Sequence, residues 1–283
     1  IYNSPPDIEM SDGEKPLPVT TYYARLTQRL INALTALTAE GSLYAVDLRL
    51  RPSGNAGPIA SSLDAFQRYH AEAAWTWERM ALTRARIVAG DPPLAKAVNA
   101  TIHAALTAPR DKAALLADVA DMRRRLAAQH AKPGPLDFKH RRGGLVDIDF
   151  IAQYLMLAHA TERPEILSLD TATALDRLRH AGLLAAEDAR HLAETLAFHQ
   201  HAHAVLRVTH GTEVELKPAL DTLRRVFRRH RERTHTRGTP PSARHLEKTA
   251  ATVLEIYTRL IDFTAAALPP QRHATPQGRP PAP

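Results

Sequence analysis

The sequence contains no cysteine in its 283 residues. Disulfides, cysteine-based zinc sites and thiol chemistry are therefore excluded, and a reducing cytosol is compatible with this composition, so we expect a cytoplasmic protein. Aromatic residues make up only 5% of the chain, which disfavours binding of single-stranded nucleic acid by base stacking. No apolar run approaches the roughly 18–20 residues that span a bilayer, so we expect no membrane partner.

What is present is a hydrophobic content of 44% and a net charge of +7, from 37 basic and 30 acidic residues. The hydrophobic content is enough for a sizeable core, in one large domain or two small ones. A basic surplus is typical of proteins that bind an acidic protein, phosphate groups or nucleic acid. Of these, nucleic acid is the least favoured partner because aromatic residues are few.

Helical periodicity dominates the chain. Residues 20–38 carry apolar side chains three and four positions apart, and Thr20 or Thr21 is placed to cap that helix. A second helical stretch begins near Ser62 and ends before Gly90. Further helices are predicted over 94–107, 111–131, 145–160, 170–181, 186–210 and 243–267, with Gly182 as a helix C-terminal residue.

One segment has the alternation of a β-strand, LYAVDLRLRP at residues 43–52. Asp47, Arg49 and Arg51 fall together on its polar face, and the opposite face consists of Tyr44, Val46, Leu48 and Leu50. A single strand cannot bury its own apolar face. We therefore expect partner strands before Ile1, which would make this chain a fragment of a longer protein.

These patterns predict an α+β protein with three parts. Residues 1–91 form a small α/β portion, residues 92–267 form a mostly helical domain, and the Pro-rich residues 268–283 form a disordered tail. The strongly basic run at 224–237 is expected to be a solvated face. On a helix only His199 and His203 share a face with each other, His201 does not, and no nearby acid completes a metal site. We therefore expect these histidines to lie on an exposed polar face.

The stretch GGLVDIDF at residues 143–150 has two candidate interpretations. Asp147 and Asp149 would converge on one metal ion if the segment were a strand, but on a helix they point about 200° apart. The apolar stripe that follows favours a helix beginning just after Gly143 and Gly144, with Asp147 in its first turn. Asp149 would then face solvent or a partner.

A third interpretation of this segment is an anion site. A helix N-terminus preceded by Lys139, Arg141 and Arg142 combines free backbone N–H groups with positive charge. We therefore predict that Lys139, Gly143 and Gly144 bind phosphate, with Asp147 as a possible further site residue.

Three segments together resemble one family. They are YAVDLRLRPSGNAGP, AWTWERMALTRARIVAGDPPL and DFKHRRGGLVDIDFIAQYL. They look like the glutamine synthetase adenylyltransferase/adenylyl-removing enzymes, and the pattern at Lys139, Gly143–Leu145, Asp147 and Ile148 is also similar to PII uridylyltransferase. The AWTWER segment resembles the C-terminal, adenylylating half of these bifunctional enzymes. The resemblance runs from residue 1 to about residue 215.

The resemblance implies a polymerase-β-like nucleotidyltransferase fold, truncated here at its N-terminus, followed by a helical domain. In the family a Gly-Ser-x-x-Asp-x-Asp metal motif lies on a strand immediately before the equivalent of Ile1, and that motif is absent from this sequence. Asp47 matches the family's third acidic residue. The implied reaction is transfer of an adenylyl group from ATP to a tyrosine hydroxyl of glutamine synthetase, with Mg²⁺, in the regulation of nitrogen assimilation.

Under this interpretation Asp47 would be a catalytic carboxylate and a metal ligand, and it could also be the base for the tyrosine. Charge and placement make Arg49, Arg51 and Lys139 candidates to hold the triphosphate. With one carboxylate of three, the chain alone is expected to be inactive.

The alternative function is a non-catalytic helical module that docks glutamine synthetase or a PII signalling protein. A third possibility, a nucleic-acid polymerase-like enzyme, is disfavoured by the few aromatic residues and by the resemblance.

Overall fold

The computed structural model describes residues 1–5, 7–42, 45–130, 133–211, 215–234 and 242–266. For residues 229–234 and 266 it describes the backbone only. The described residues form two compact units. The first comprises Ile1–Ala108 and Ala160–Leu169, and the second comprises Pro109–His159 with the residues from Asp170 onward. The division falls after Ala108, so the helix that starts at residue 92 belongs to the first unit.

The first unit contains α1 (Val19–Thr35), a hairpin of β1 (Leu37–Thr38) and β2 (Gly41–Ser42), α2 (Leu63–Arg68), α3 (Thr76–Leu82) and α4 (Pro92–Thr107). The two strands pair antiparallel through Leu37 with Ser42 and Thr38 with Gly41. A short 3₁₀ turn spans Gly54–Ala56, and a π-helical turn, Tyr69–Ala73, interrupts the helix predicted as continuous from Ser62. Ser62 caps α2 as predicted, since its side chain accepts from the Ala65 N–H.

The helix α1 differs from the prediction at its start. It begins at Val19 with Pro18 before it, and neither Thr20 nor Thr21 caps it. None of its residues is buried. Its apolar stripe is exposed, with Tyr22 at 43%, Leu26 at 49% and Leu30 at 58% of full exposure. An amphipathic helix gains its stability mainly by burying such a stripe.

The strand predicted at 43–52 is wrong for residues 45–52, which have no strand partner and end in a turn; residues 43 and 44 lie outside the described part of the chain. The predicted two-faced pattern persists over part of the segment. Val46 and Leu48 are half-buried, whereas Asp47 and Arg49 are exposed. Leu50, expected on the core face, is 56% exposed. The segment is strand-like in pattern but lacks the neighbouring strand that β-structure requires.

The second unit is a helical bundle. It comprises α5 (Lys112–Gln129), α6 (Leu145–His159), α7 (Thr171–His180), α8 (Ala186–His210), α9 (Leu216–Thr234), α10 (Ala243–Tyr257) and α11 (Phe263–Ala266), with a π-helical turn at Thr258–Asp262. Except for α9, α10 and α11, these helices match the predicted segments to within a few residues. The segment 243–267, predicted as one helix, is divided into α10 and α11 by the π-helical turn. Gly182 (φ 72°) ends α7 as predicted, in a Schellman arrangement in which Leu183 N–H donates to the Leu178 carbonyl.

Helix α6 lies at the centre of this bundle and contacts α5, α7, α8 and α10. Its sequence is apolar on nearly every side, and Ile148, Ile151 and Leu157 are fully buried. A helix with that composition is stable only when neighbours surround it. The residues that open α6 are therefore held deep in the second unit.

The described residues are mostly helical with one two-stranded sheet, which is consistent with the α+β class. The nucleotidyltransferase fold stays a prediction. No described helix is long and apolar enough to cross a membrane. The tail at 268–283, predicted to be disordered, lies outside the described residues.

Candidate functional site

The first group of predicted site residues lies in the loop between β2 and α2. Asp47 and Arg49 form an ion pair there, with Arg49 Nη2 at 2.8 Å and Nε at 2.9 Å from Asp47 Oδ2. The Arg49 backbone N–H also donates to Asp47 Oδ1 at 3.0 Å. Both side chains are 58% exposed. The hydrogen bonds from Arg49 lower the pKa of the Asp47 carboxyl, so Asp47 is an anionic, solvent-accessible carboxylate at neutral pH.

Arg51 closes this loop on itself. Its guanidinium donates to the carbonyls of Leu48 at 2.8 Å, Gly57 at 3.3 Å and Asn55 at 3.5 Å. A Cβ on Gly57 would meet the Pro52 carbonyl oxygen at 2.0 Å, so the backbone passes too close for any other residue there. Arg51, predicted to bind the triphosphate, holds in this structure the shape of the loop that carries Asp47 and Arg49.

The second group of predicted residues opens α6. Asp147 is in the first turn, as predicted, and is fully buried. Its Oδ1 accepts from Arg123 Nε at 2.6 Å, and its Oδ2 accepts a short hydrogen bond from the Gly143 N–H. Asp149 is half-buried and accepts from Thr171 Oγ1 at 2.9 Å. The two aspartates thus have separate partners on different sides of a helix, which agrees with the helical interpretation of GGLVDIDF.

The backbone N–H groups at this helix start are not free. Gly143 N–H donates to Asp147, and Gly144 N–H donates to the Arg141 carbonyl at 2.9 Å. Leu145 N–H donates to the Phe138 carbonyl at 2.8 Å. The structure here differs from the expected open anion site because the chain folds back so that its own acceptors cap the helix. Phosphate binding by Lys139, Gly143 and Gly144 stays a prediction.

Both glycines have a structural reason to be glycine. Gly143 has φ 78°, and a Cβ on it would lie 1.9 Å from the Ala250 carbonyl oxygen of α10. A Cβ on Gly144 would lie 2.7 Å from the Phe138 carbonyl oxygen. The double glycine therefore lets the chain turn sharply and lets α6 start against α10.

The basic residues before these glycines have different surroundings. Lys139 is exposed. Arg141 donates to the Pro135 carbonyl at 2.8 Å. Arg142 pairs with Asp262 at 3.1 Å and lies with its guanidinium carbon 4.6 Å from the centre of the Tyr257 ring. Arg141 and Arg142 thus have protein partners, and Lys139 presents its charge to solvent.

Asp47, Arg49 and Arg51 belong to the first compact unit, and Lys139, Gly143, Gly144 and Asp147 belong to the second. Within the described residues, no three histidine or acidic side chains lie close enough together to hold a metal ion. Asp47 is therefore not part of such a group, and the residues described here do not by themselves fit Mg²⁺.

Arg123 is a residue that sequence reasoning missed. It is fully buried in α5 and also donates to the His140 carbonyl at 3.1 Å. The sequence carried a signal for it, since Leu116, Ala120 and Arg123 recur at helical spacing on one face. An arginine on an otherwise apolar stripe indicates a buried ion pair.

His199 corrects another expectation. It was placed on an exposed polar face, but it is fully buried, with its ring centre 5.3 Å from that of Phe138. Burial, together with the nearby charge of Arg141, lowers the pKa of His199 to about 4. The wrong prediction came from counting polarity alone, because a neutral imidazole packs in a core much as an aromatic ring does.

Comparison with known proteins connects both units to nucleotide-transferring enzymes. The sequence model of the Glutamate-ammonia ligase adenylyltransferase family matches residues 1–101, and that of the GlnD PII-uridylyltransferase family matches residues 114–261, more than half of the chain. The bifunctional glutamine synthetase adenylyltransferase/adenylyl-removing enzyme of Rhodopseudomonas palustris (strain TIE-1) is 44% identical over 265 residues, which is 92% of this chain and 26% of that protein.

The chain belongs to the glutamine synthetase adenylyltransferase/adenylyl-removing enzyme family. Relatives with the same name support this assignment. The protein from Bradyrhizobium sp. (strain ORS 278) is 41% identical over 93% of this chain and 26% of its own length. That from Xanthobacter autotrophicus is 46% identical over 75% of this chain and 22% of its own length. The chain thus spans about a quarter of the length of the curated relatives it matches. The two family matches meet between residues 101 and 114, where the two compact units also divide.

Proposed function

We propose that this chain is part of a nucleotidyltransferase that transfers an adenylyl group from ATP to a tyrosine hydroxyl of glutamine synthetase. The observation that carries the proposal is the 44% identity over 92% of the chain with a protein named as that adenylyltransferase. We assign the chain to the C-terminal, adenylylating half, on the resemblance of its AWTWER segment to that half. The expected setting is the cytoplasm, in the regulation of nitrogen assimilation.

In this proposal Asp47 supplies a carboxylate to the reacting centre. Its position suits that role, because the side chain is exposed at the surface of a loop whose shape Arg51 fixes. Arg49 lowers the pKa of Asp47, which makes the carboxylate a weaker proton acceptor. We therefore favour a role for Asp47 as a permanent negative charge and ligand over a role as base for the tyrosine. Arg49 and Arg51 remain the proposed triphosphate-binding residues of the first unit, and Lys139 remains a proposed phosphate-binding residue of the second.

Mg²⁺ is the cofactor proposed for this reaction class, and it supplies charge neutralisation around the transferred group when bound. One exposed carboxylate does not hold Mg²⁺ tightly. Since the described residues contain no group of three acidic or histidine side chains that could hold a metal ion, we propose that the remaining ligands come from the segment expected before Ile1. The Gly-Ser-x-x-Asp-x-Asp motif expected before Ile1 has the right chemistry for that role.

Two features of the first unit support the proposal that the chain is a fragment. The apolar stripe of α1 is uncovered at Tyr22, Leu26 and Leu30, and the strand-like segment from residue 45 to 49 has no strand beside it. We propose that strands outside this chain pair with the backbone of this segment and that polypeptide outside this chain covers the stripe of α1. The curated relatives are about four times as long as the matched region, so they have polypeptide available for such a sheet.

The second unit favours a supplementary function, the docking of glutamine synthetase or a PII signalling protein. It is compact by itself, and a PII-uridylyltransferase family model matches it. Its helix α9 presents Lys217, Arg225 and Arg228 at the surface. If the whole chain were only a docking module, it would bind glutamine synthetase with no dependence on ATP.

The test is an adenylylation assay with ATP labelled at the α-phosphate and purified glutamine synthetase. A chain extended upstream of Ile1 to the length of the relatives should transfer label, and mass spectrometry should find the adenylyl group on a tyrosine. Residues 1–283 alone should transfer little or none. Robust transfer by residues 1–283 would contradict the missing-carboxylate argument. No transfer by the extended chain, together with ATP-independent binding of glutamine synthetase, would favour the docking module.

A further inference from the structure

A cavity lies in the second unit, between the loop that precedes α6 and the region where α8 ends and α9 starts. Its volume is about 530 Å³, within the roughly 300–1,000 Å³ that is typical of sites for small organic molecules. One wall is the loop at 134–138, and the rest of the lining comes from the end of α8 and the start of α9. All of the described lining residues belong to the second unit.

The apolar part of the lining belongs to the core of this unit. Phe138 is 1% exposed and Leu206 is 5% exposed, and both are members of a buried cluster that includes residues of α9 and α10. Leu136 and Leu216, which also line the cavity, are half-buried and pack against the same cluster. These four side chains give a ligand an apolar surface that the fold keeps in place.

The loop wall is fixed by hydrogen bonds. The Arg141 guanidinium donates to the Pro135 carbonyl at 2.8 Å. The Leu145 N–H, at the start of α6, donates to the Phe138 carbonyl at 2.8 Å. The Asp137 carboxylate accepts from the two backbone N–H groups that follow Phe138, at 3.1 and 2.8 Å. The cavity is therefore preformed, and a ligand does not have to order this loop when it binds.

Two basic side chains of α8, His203 and Arg207, also line the cavity. They are four residues apart, so they lie on the same side of the helix. In the described part of the chain, neither has a hydrogen-bond or ion-pair partner. Arg190, on the same helix, instead pairs with Glu187 and Glu194. Arg207 has no acidic residue three or four positions away in the sequence, so the helix provides no such pair for it.

An unpaired arginine beside an apolar surface suits an anionic ligand. A guanidinium group forms strong, charge-assisted hydrogen bonds with carboxylate and phosphate oxygens. Asp137 places a negative charge on the loop wall, so the anionic end of a ligand belongs at α8. We propose that this cavity binds a small organic anion, with its carboxylate or phosphate group against His203 and Arg207 and its apolar body against Phe138 and Leu206. This site is independent of the proposed transfer reaction.

The experiment is isothermal titration calorimetry of residues 1–283 at about 0.15 M salt, where weak binding of anions to the surface is screened. The probes are phenyl phosphate, benzoate, the neutral benzyl alcohol and inorganic phosphate. Phenyl phosphate, benzoate or both should bind one to one with a Kd of about 0.1–1 mM, as expected for ligands of about ten non-hydrogen atoms. Benzyl alcohol lacks the charge and inorganic phosphate lacks the apolar body, so each should bind at least about tenfold more weakly.

Arg207→Gln should weaken binding of the anion by about 10- to 100-fold, because it removes a charge-assisted hydrogen bond. Arg207 is exposed, so the variant should fold. Arg190→Gln, an exposed arginine of the same helix that does not line the cavity, is the matched control and should change the Kd less than about twofold. In nuclear magnetic resonance spectra, the anion should shift the amide signals of residues 136–138 and 203–207.

The two anions also distinguish the chemical class of the ligand. Binding of phenyl phosphate alone would support a phosphate ester as the ligand, and binding of benzoate alone would support a carboxylate. Binding of neither anion at concentrations up to about 10 mM would overturn the proposal. An unchanged Kd in Arg207→Gln would also overturn it, because the anion would then bind elsewhere on this basic chain.

Discussion

The Nε atom of Arg123 lies 2.6 Å from Oδ1 of Asp147, and both side chains are almost completely buried. The pair joins α5 to the first turn of α6. Asp147 also accepts from the Gly143 N–H and lies 3.7 Å from an Arg142 nitrogen. The carboxylate is thus the centre of a buried network that fixes the start of the central helix. A motif that resembles a metal site in sequence is, in the second unit, a structural ion pair.

Removing one member of this pair should destabilise the second unit strongly. Arg123→Leu leaves Asp147 buried without its main partner, which costs about 3–5 kcal/mol of unfolding free energy. The measurement is urea unfolding followed by circular dichroism. Arg190→Leu is the control, since Arg190 is exposed and its pairs with Glu187 and Glu194 are worth about 0–1 kcal/mol. Equal effects of the two substitutions would show that the buried pair has no special role.

The glycine turn before α6 should not tolerate alanine. Gly143→Ala puts a Cβ 1.9 Å from the Ala250 carbonyl oxygen on a backbone with φ 78°. Left-handed strain and overpacking together should cost about 2–5 kcal/mol. Gly134→Ala is the matched control, because a Cβ there meets nothing within 4 Å. The measurement is the free energy of thermal unfolding of the two variants. A Gly143→Ala variant as stable as Gly134→Ala would contradict the described packing of α6 on α10.

Sequence reasoning located almost every helix, because apolar periodicity and capping residues are local signals. It failed where the outcome depends on distant partners. Residues 45–52 have a strand pattern but no neighbouring strand, and the burial of His199 depends on Phe138, which is far away in sequence. For the candidate site, Asp147 was correctly placed in the first turn of a helix. The apolar stripe that contains Arg123 indicates a buried ion pair, but spacing alone does not identify Asp147 as its partner.

Acid should weaken the second unit through His199. The pKa of His199 is lowered to about 4 in the folded protein, against about 6.5 in an unfolded chain. The unfolded state therefore binds a proton first, so stability is complete above about pH 6.5 and falls as the pH drops toward 4. Between pH 7.5 and 5.0 this histidine should account for about 2 kcal/mol.

The measurement for His199 is urea unfolding at those two pH values. The loss between pH 7.5 and pH 5.0 should be smaller in His199→Leu than in the unchanged protein by about 2 kcal/mol. The charges of Arg141 and His245 also lower the pKa of His199, so neither residue is changed in either protein. An identical pH dependence would contradict the buried, neutral state of His199.

The exposed stripe of α1 gives a prediction about the longer protein. Leu30 is 58% exposed in this chain, so Leu30→Ala should change the stability of residues 1–283 by less than about 0.5 kcal/mol. If a sheet from upstream residues covers α1, the same substitution should cost about 2–4 kcal/mol in the extended chain. Leu155→Ala, at a buried position of α6, should be costly in both proteins. A Leu30 effect equally small in both would argue against a covering sheet.

The central claim is that Asp47 supplies a carboxylate for adenylyl transfer, and the most direct test is the activity of Asp47→Asn in the extended chain. Asp176→Asn is a closely matched control, because Asp176 is also 58% exposed and also pairs with an arginine, Arg179, at 2.8 Å. With labelled ATP and glutamine synthetase, Asp47→Asn should lower kcat/KM by about 10²-fold or more, while Asp176→Asn leaves it unchanged. Full transfer by Asp47→Asn would contradict the account.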